Sequence, residues 1–134
     1  EHDVMITAES KGIPLIHAMC SISGKNRYVL ARKSVKLYMK DVLKCETKSI
    51  TTGSMQTLYI DGDDAEFMKG KRVLIVDDVI STGGSLATLE NIVEQAGGIV
   101  VGKMAILAEG DATTRDDITY LEKLPLFDGN GNAL

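Results

Sequence analysis

The feature that most constrains this chain is one stretch, Val73-Leu74-Ile75-Val76-Asp77-Asp78-Val79-Ile80-Ser81-Thr82-Gly83-Gly84-Ser85. A continuous aliphatic run rich in β-branched residues marks a strand buried on both faces, which places it inside a parallel sheet. Two carboxylates, Asp77 and Asp78, follow at its C-terminal end, where open parallel sheets bind their ligands. Small and hydroxylated residues then lead into a helix. Its apolar face is predicted from Leu86, Leu89, Ile92, Val93 and Ala96, and its end at Gly97-Gly98. The first N–H groups of a helix lack intrahelical partners, and glycines let a ligand approach the backbone. Ser81, Thr82 and Ser85 add hydroxyl donors, so an anion cradle sits beside two acids. Carboxylates repel phosphate, so a fitting ligand offers hydroxyls or a metal to one part and phosphate to the other. Ribose 5-phosphate has that form.

The remaining pattern alternates short strands with helical periodicity. Val4–Ala8 reads as a strand. From Gly12 to Ile22 the residues Leu15, Ile16, Met19 and Ile22 recur on one helical face, with Pro14 in the first turn and Gly24 as a stop. Tyr28–Ala31 reads as a second strand, and residues 32–56 as a long mobile loop without sustained period. Leu58–Ile60 is a short strand ended by a turn at Asp61-Gly62-Asp63-Asp64. Ile99–Val101 and Met104–Leu107 continue as strand, Asp111–Asp117 is a polar loop, and Ile118–Leu121 is a last edge strand. Strand–helix–strand units of this size predict an α/β domain spanning 1–134, with a parallel sheet and right-handed crossovers.

Composition narrows the class. With 134 residues and 44% apolar content the chain can bury one real core. No apolar run approaches the roughly 18 residues of a spanning helix. Cys20 and Cys45 make no disulfide scaffold, which points to a reducing, cytoplasmic setting. The chain opens on Glu1 rather than Met, so an upstream segment is expected to be missing. Of the 15 Lys and Arg, eight fall in residues 25–48, where only Asp41 and Glu46 oppose them. That stretch carries +6 and the rest −10. A single basic segment in an acidic chain suits a compact anionic ligand, and excludes the broad basic face of a nucleic-acid or membrane binder. His2 and His17 lack ligand spacing, so no metal site is assigned. Cys45, between Lys44 and Glu46, is a candidate reactive thiol. Tyr38 and Tyr59 flank the loop as packing or stacking residues, and Leu124-Pro125-Leu126-Phe127 would line a base pocket or a subunit contact.

The stretch Val76–Ser85 resembles the signature of the type I phosphoribosyltransferases. Asp3-Val4-Met5-Ile6-Thr7-Ala8-Glu9-Ser10-Lys11-Gly12 is similar to the pyrophosphate loop of adenine-type members. Ala31-Arg32-Lys33-Ser34-Val35-Lys36-Leu37 is similar to the strand end that begins the family's mobile catalytic loop. These motifs occur in the family's order over most of the chain. The layout is nearest to adenine and archaeal-type hypoxanthine/guanine enzymes. There are departures. Lys11 stands where Arg is usual, which exchanges a bidentate fork for a point charge. Thr51-Thr52-Gly53-Ser54 replaces a Leu-Glu-Tyr-Gly run. Ser81 stands where members that deprotonate hypoxanthine or guanine carry Asp. The resemblance leads one to expect further N-terminal residues, which relatives use for part of a hood, upstream of Glu1.

The resemblance implies a Rossmann-like parallel-sheet core with helices on both faces. It implies transfer of phosphoribose from 5-phospho-α-D-ribosyl 1-diphosphate (PRPP) to a nucleobase, a purine and adenine in first place, with release of pyrophosphate. Asp77 and Asp78 would hold the ribose hydroxyls near the developing cation, and Lys36 would join them in catalysis. Val79, Ile80, Ser81, Thr82, Gly83, Gly84 and Ser85 would bind the 5-phosphate. Glu9, Ser10, Lys11, Gly12, Arg32 and Lys33 would bind pyrophosphate. Mg²⁺ would be held mainly by substrate oxygens rather than by a protein cage. A cytoplasmic homodimer is the expected form. The alternatives are a PRPP-sensing regulator without turnover, an orotate enzyme, or a PRPP synthetase, whose longer chain has a nucleotide-binding half not seen here. Receiver domains share the Val-Asp-Asp opening but place it near their start, and here no Asp lies between Asp78 and Asp111 to accept phosphate.

Overall fold

A computed structural model of the chain describes residues 1–48 and 55–134. Its element order is β1 (Val4–Ala8), α1 (Ile13–Ser23), β2 (Val29–Ala31), β3 (Leu43–Lys48), β4 (Met55–Ile60), α2 (Gly62–Met68), β5 (Arg72–Ile80), α3 (Gly84–Gln95), β6 (Ile99–Glu109), a 3₁₀ turn (Gly110–Thr114) and β7 (Thr119–Leu124). Five strands form one sheet in the order β2-β1-β5-β6-β7, every pair parallel. β3 and β4 form a separate antiparallel hairpin.

The strand side chains divide by parity, because successive residues point to opposite faces. Met5, Leu74 and Val76 face α1, where Ile16 and Cys20 are buried with Leu15, Met19, Tyr28 and Met104 alongside. Val4, Ile6, Val73 and Ile75 face the other way, onto Leu86, Leu89, Ile92 and Val93 of α3. The hairpin closes that second layer with Cys45, Leu58 and Ile60. Helices therefore cover both faces of a parallel sheet, as predicted. At the N-terminal edge of the sheet Asp3 accepts the Arg72 N–H at 2.9 Å and its guanidinium nitrogens at 3.1 and 2.9 Å, fixing β1 beside β5.

Several expectations need correction. The long loop over 32–56 is in part the hairpin: Lys44 pairs with Tyr59 and Cys45 with Leu58 across it. Thr51–Ser54 lie outside the described residues. Asp61–Asp64 do not form a free turn but open α2, whose first turn carries Asp63 and Asp64, favourable at the positive end of a helix. β6 is one strand through Glu109, interrupted only by an irregular step at Gly102. The edge strand runs over Thr119–Leu124 rather than from Ile118, which is buried. Ile22 is exposed. At about 100° per residue it lies roughly 120° around α1 from Ile16, off the buried face. Cys45 is buried on β3 and its thiol is pushed up by burial, which makes it an inert core residue rather than a reactive one.

These assignments separate two isolated changes. Leu89→Ala, at a fully buried position, is expected to cost about 3 kcal/mol in urea unfolding. Ile22→Ala is expected to stay within about 0.5 kcal/mol.

Candidate functional site

β1 and β5 lie side by side, but the chain leaves them in opposite directions. After β1 it passes through α1 to β2; after β5 it passes through α3 to β6 on the other side. The pairing of β5 with β1 covers Val4–Ile6 against Val73–Ile75, whereas its pairing with β6 continues to Ile80. Beyond Ile75 the β1 side of β5 is open, and Asp77 and Asp78 stand at that opening. Crevices of this kind bind ligands in open α/β sheets.

A cavity of about 710 Å³ occupies it, lined from β1 by Ala8, Glu9, Ser10 and Lys11, and from β5 by Asp77, Asp78 and Val79. Lys33, the hairpin residues Met55–Tyr59 and Ser85 complete the wall. A smaller cavity of about 140 Å³ adjoins it, lined by Ile80, Ser81, Thr82, Gly83, Gly84 and Ser85. Asp77, Val79, Gln56 and Ser85 belong to both. The acids thus stand between a large polar chamber and a glycine-lined turn.

The turn has its shape for a local reason. Gly83 takes φ 82°, a left-handed conformation that glycine adopts without cost. Ala87 N–H donates to Gly83 C=O at 2.9 Å, and Thr88 Oγ1 donates to Gly84 C=O at 2.9 Å, so the first turn of α3 is ordered. Among the described residues no side chain caps α3 by hydrogen bond, which leaves its first N–H groups without a side-chain partner beside the small cavity that Gly83, Gly84 and Ser85 line. Ser81 Oγ donates to Glu109 at 3.3 Å and Gln56 Nε2 donates to Ser85 Oγ at 3.3 Å.

Across the large chamber the first motif and the basic motif are tied together. Glu9 accepts the Lys33 N–H at 2.6 Å and Arg32 Nη1 at 3.3 Å. The backbone bond to Lys33 is the main reason that its carboxyl titrates below the usual range. Glu9 is therefore an internal tether, and not itself a donor to an anion. Gly12 is needed because a Cβ there would collide with Thr7 Oγ1 beneath it. Lys11 and Lys33 line the chamber; Arg32, Gly12 and Lys36 do not, and Lys36 Nζ donates to Ser34 Oγ at 3.0 Å. The chamber is thus cationic at one end and acidic at the other.

Asp77 is half-buried and its carboxyl is pushed up to about 7, first by burial and then by hydrogen bonding to Asp78. Its Oδ1 accepts the Asp78 N–H at 2.8 Å. Two hard-oxygen donors side by side suit a divalent cation such as Mg²⁺. Among the described residues no group of three or more His, Cys, Asp or Glu could hold a metal. Asp77 and Asp78 are the residues that could flank such an ion.

Sequence reasoning missed the hairpin wall. Leu58 reads as the start of a short strand and Met55 and Gln56 as the end of the long loop, but nothing marked them or Thr57 as site residues, because their placement depends on β4 pairing rather than on any local motif. Tyr59 was singled out with Tyr38 as a loop-flanking residue that packs or stacks, and it lines the chamber. Leu126 and Phe127 are exposed and line neither cavity.

Comparison with known proteins places this geometry. The model of the phosphoribosyl transferase domain matches residues 1–126. A hypoxanthine/guanine phosphoribosyltransferase of Methanococcus maripaludis is 31% identical over 98% of this chain and 70% of its own length. An adenine phosphoribosyltransferase of Ureaplasma parvum is 38% identical over 81% of this chain and 59% of its own. The crystal structure of adenine phosphoribosyltransferase from Rhodothermus marinus superposes with a TM-score of 0.78 at 28% identity, over 92% of this chain and 70% of that one.

The burial of Asp77 has a measurable consequence. A carboxyl whose pKa rises on folding favours the protonated fold, so its contribution declines as pH rises from about 4 through about 7. Asp77→Asn removes that decline. At about pH 8 the variant is expected to be more stable than the parent by on the order of 2 kcal/mol, and near pH 4 the gain should vanish. Urea unfolding at the two pH values measures it.

Proposed function

The chain belongs to the phosphoribosyltransferase family, as an enzyme of the purine class, and on that footing we propose how its own residues carry the transfer from PRPP and which base it prefers. The observation that carries the reading is the order of groups along one crevice. A glycine-lined turn, two acids and a cationic end follow one another through two adjoining cavities. PRPP has the matching order: 5-phosphate, ribose hydroxyls, pyrophosphate.

In this reading the N–H groups and hydroxyls of Ser81–Ser85 hold the 5-phosphate, each charge-assisted bond contributing roughly 1.5–3 kcal/mol. Asp77 and Asp78 accept hydrogen bonds from the ribose hydroxyls. Their negative charge lies beside C1, where positive charge grows as the C1–O bond breaks and its electron pair leaves with pyrophosphate. Ser10 and Lys11 with the Lys33 side chain receive that leaving group, and Arg32, held by Glu9, adds charge behind them. Lys36 would join when the basic segment closes over the chamber. Mg²⁺ bound through substrate oxygens would offset the charge of the leaving group. A nitrogen of the base then bonds to C1, and its proton passes to the departing pyrophosphate. Closure excludes water, which would otherwise capture the ribosyl cation.

Adenine is proposed ahead of hypoxanthine and guanine. Position 81 carries a hydroxyl that donates to Glu109, where the resemblance leads one to expect Asp in members that deprotonate the 6-oxopurines. A cytoplasmic homodimer completes the proposal. Among the described residues no helix is long and apolar enough to cross a membrane.

Incubation with PRPP, Mg²⁺ and each of adenine, hypoxanthine, guanine, xanthine and orotate is expected to release pyrophosphate fastest with adenine. A faster reaction with hypoxanthine or guanine would reverse the order of bases, and PRPP binding without product from any base would overturn the assignment of turnover. The double change Asp77→Asn with Asp78→Asn should lower kcat by at least about a thousandfold while the circular dichroism spectrum stays unchanged. Near-parental turnover would remove the role given to the acids.

A further inference from the structure

Beyond β6 lies a chain of charges that the proposed reaction leaves unused. Arg115 follows the 3₁₀ turn, and its Nε and Nη2 donate to the two carboxylate oxygens of Asp117 at 2.8 and 2.5 Å. Asp117 also accepts from Lys103 Nζ at 3.0 Å, and Lys103 pairs with Glu90 of α3. Lys103 keeps 16% of its side chain exposed and stands in register beside Ile75 of β5. Four charges of alternating sign thus run from α3 across β6 to Arg115. A guanidinium gripped through two of its nitrogens has a fixed plane.

That plane aims Nη1 at the phosphate turn. A Cβ built on Gly83 would lie 2.7 Å from Arg115 Nη1, so the guanidinium rests directly against the backbone of the left-handed residue. No hydrogen bond among the described residues is donated by Nη1. Arg115 lines neither cavity, so it meets the turn from outside them. Ser81, at the start of the same turn, is held by Glu109 at the end of β6. Both anchors of the turn come from residues 109–115. The turn has no cation of its own between Ser81 and Ser85, and two acids adjoin it on the other side.

We propose that Arg115 is the positioning residue of the phosphate turn. Clamped by Asp117, it backs Gly83 so that the first N–H groups of α3 stay directed at the phosphoester, and it sets a positive charge behind that anion. The inference rests on the phosphoribosyl reading and adds a residue, and a segment, that the three sequence motifs do not contain.

Isothermal titration with ribose 5-phosphate and separately with pyrophosphate, together with PRPP kinetics, tests it on Arg115→Ala, Arg115→Lys and Asp117→Asn. Arg115→Ala is expected to weaken ribose 5-phosphate binding about tenfold and to raise the KM for PRPP similarly. Pyrophosphate affinity should stay within about twofold, since Lys11 and Lys33 lie at the other end of the crevice, and kcat should change much less than KM. Arg115→Lys should recover only part of the loss, because an ammonium cannot fork onto Asp117. Asp117→Asn keeps the arginine and loosens its aim, so it should reproduce part of the loss even where Arg115→Ala folds poorly. Unchanged ribose 5-phosphate affinity in Arg115→Ala and Asp117→Asn would overturn the proposal and leave the phosphoribosyl reading standing. Equal losses for both ligands would also overturn it, by showing a general structural role. A parent protein that binds no ribose 5-phosphate would bring down the phosphoribosyl reading itself.

Discussion

The divergence of β1 and β5 is the constraint from which the rest of the site follows. Helical crossovers carry the chain from β1 to one side of the sheet and from β5 to the other, with α1 and α3 on opposite faces. Two neighbouring strands therefore end with no connection bridging them. Between those ends the sheet cannot close, and the backbone groups that would have continued the ladder face an open crevice. The polar residues at both strand ends need that opening, and the core on either side would reject them.

Within the crevice opposite charges stand apart, with Lys11 and Lys33 on one part of the wall and Asp77 and Asp78 on another. Asp77 is already costly to ionise because it is half-buried against Asp78, while Glu9 is easily ionised because donors surround it. The contrast comes from hydrogen-bond supply rather than from residue type. Burial and the neighbouring Asp78 thus raise the Asp77 carboxyl toward neutrality. Glu9 instead ionises more readily, and its carboxylate accepts the Lys33 N–H at the chamber wall.

Much of this was legible because β5 and α3 carry their signals locally. A continuous aliphatic run and a clean 3.6-residue repeat need no tertiary information, and the acids and the glycine turn lie between them. The hairpin was illegible for the opposite reason. Along β3 the period of two is present, with Lys44 and Glu46 outward and Cys45 inward, but one cysteine is a faint apolar signal among charges. β3 is held by β4 and by α3, partners distant in sequence. Likewise α2 opens on an Asp-Gly-Asp-Asp run that favours a turn in isolation; Met68, fully buried in the core, and Phe67, stacked between Arg27 and Lys71, fasten it. Arg115 escaped because its meaning lies in contact with Gly83, and spacing along the chain does not encode contact.

The backbone bridge between Arg32 and Tyr59, with reciprocal N–H to C=O bonds of 2.8 Å, makes the start of the basic segment and the outer wall of the chamber one mechanical piece. Neither can be exchanged alone. A graft that imported another protein's hairpin would have to bring the Arg32–Lys33 step with it, because the β4 wall and the start of the basic segment share those two bonds.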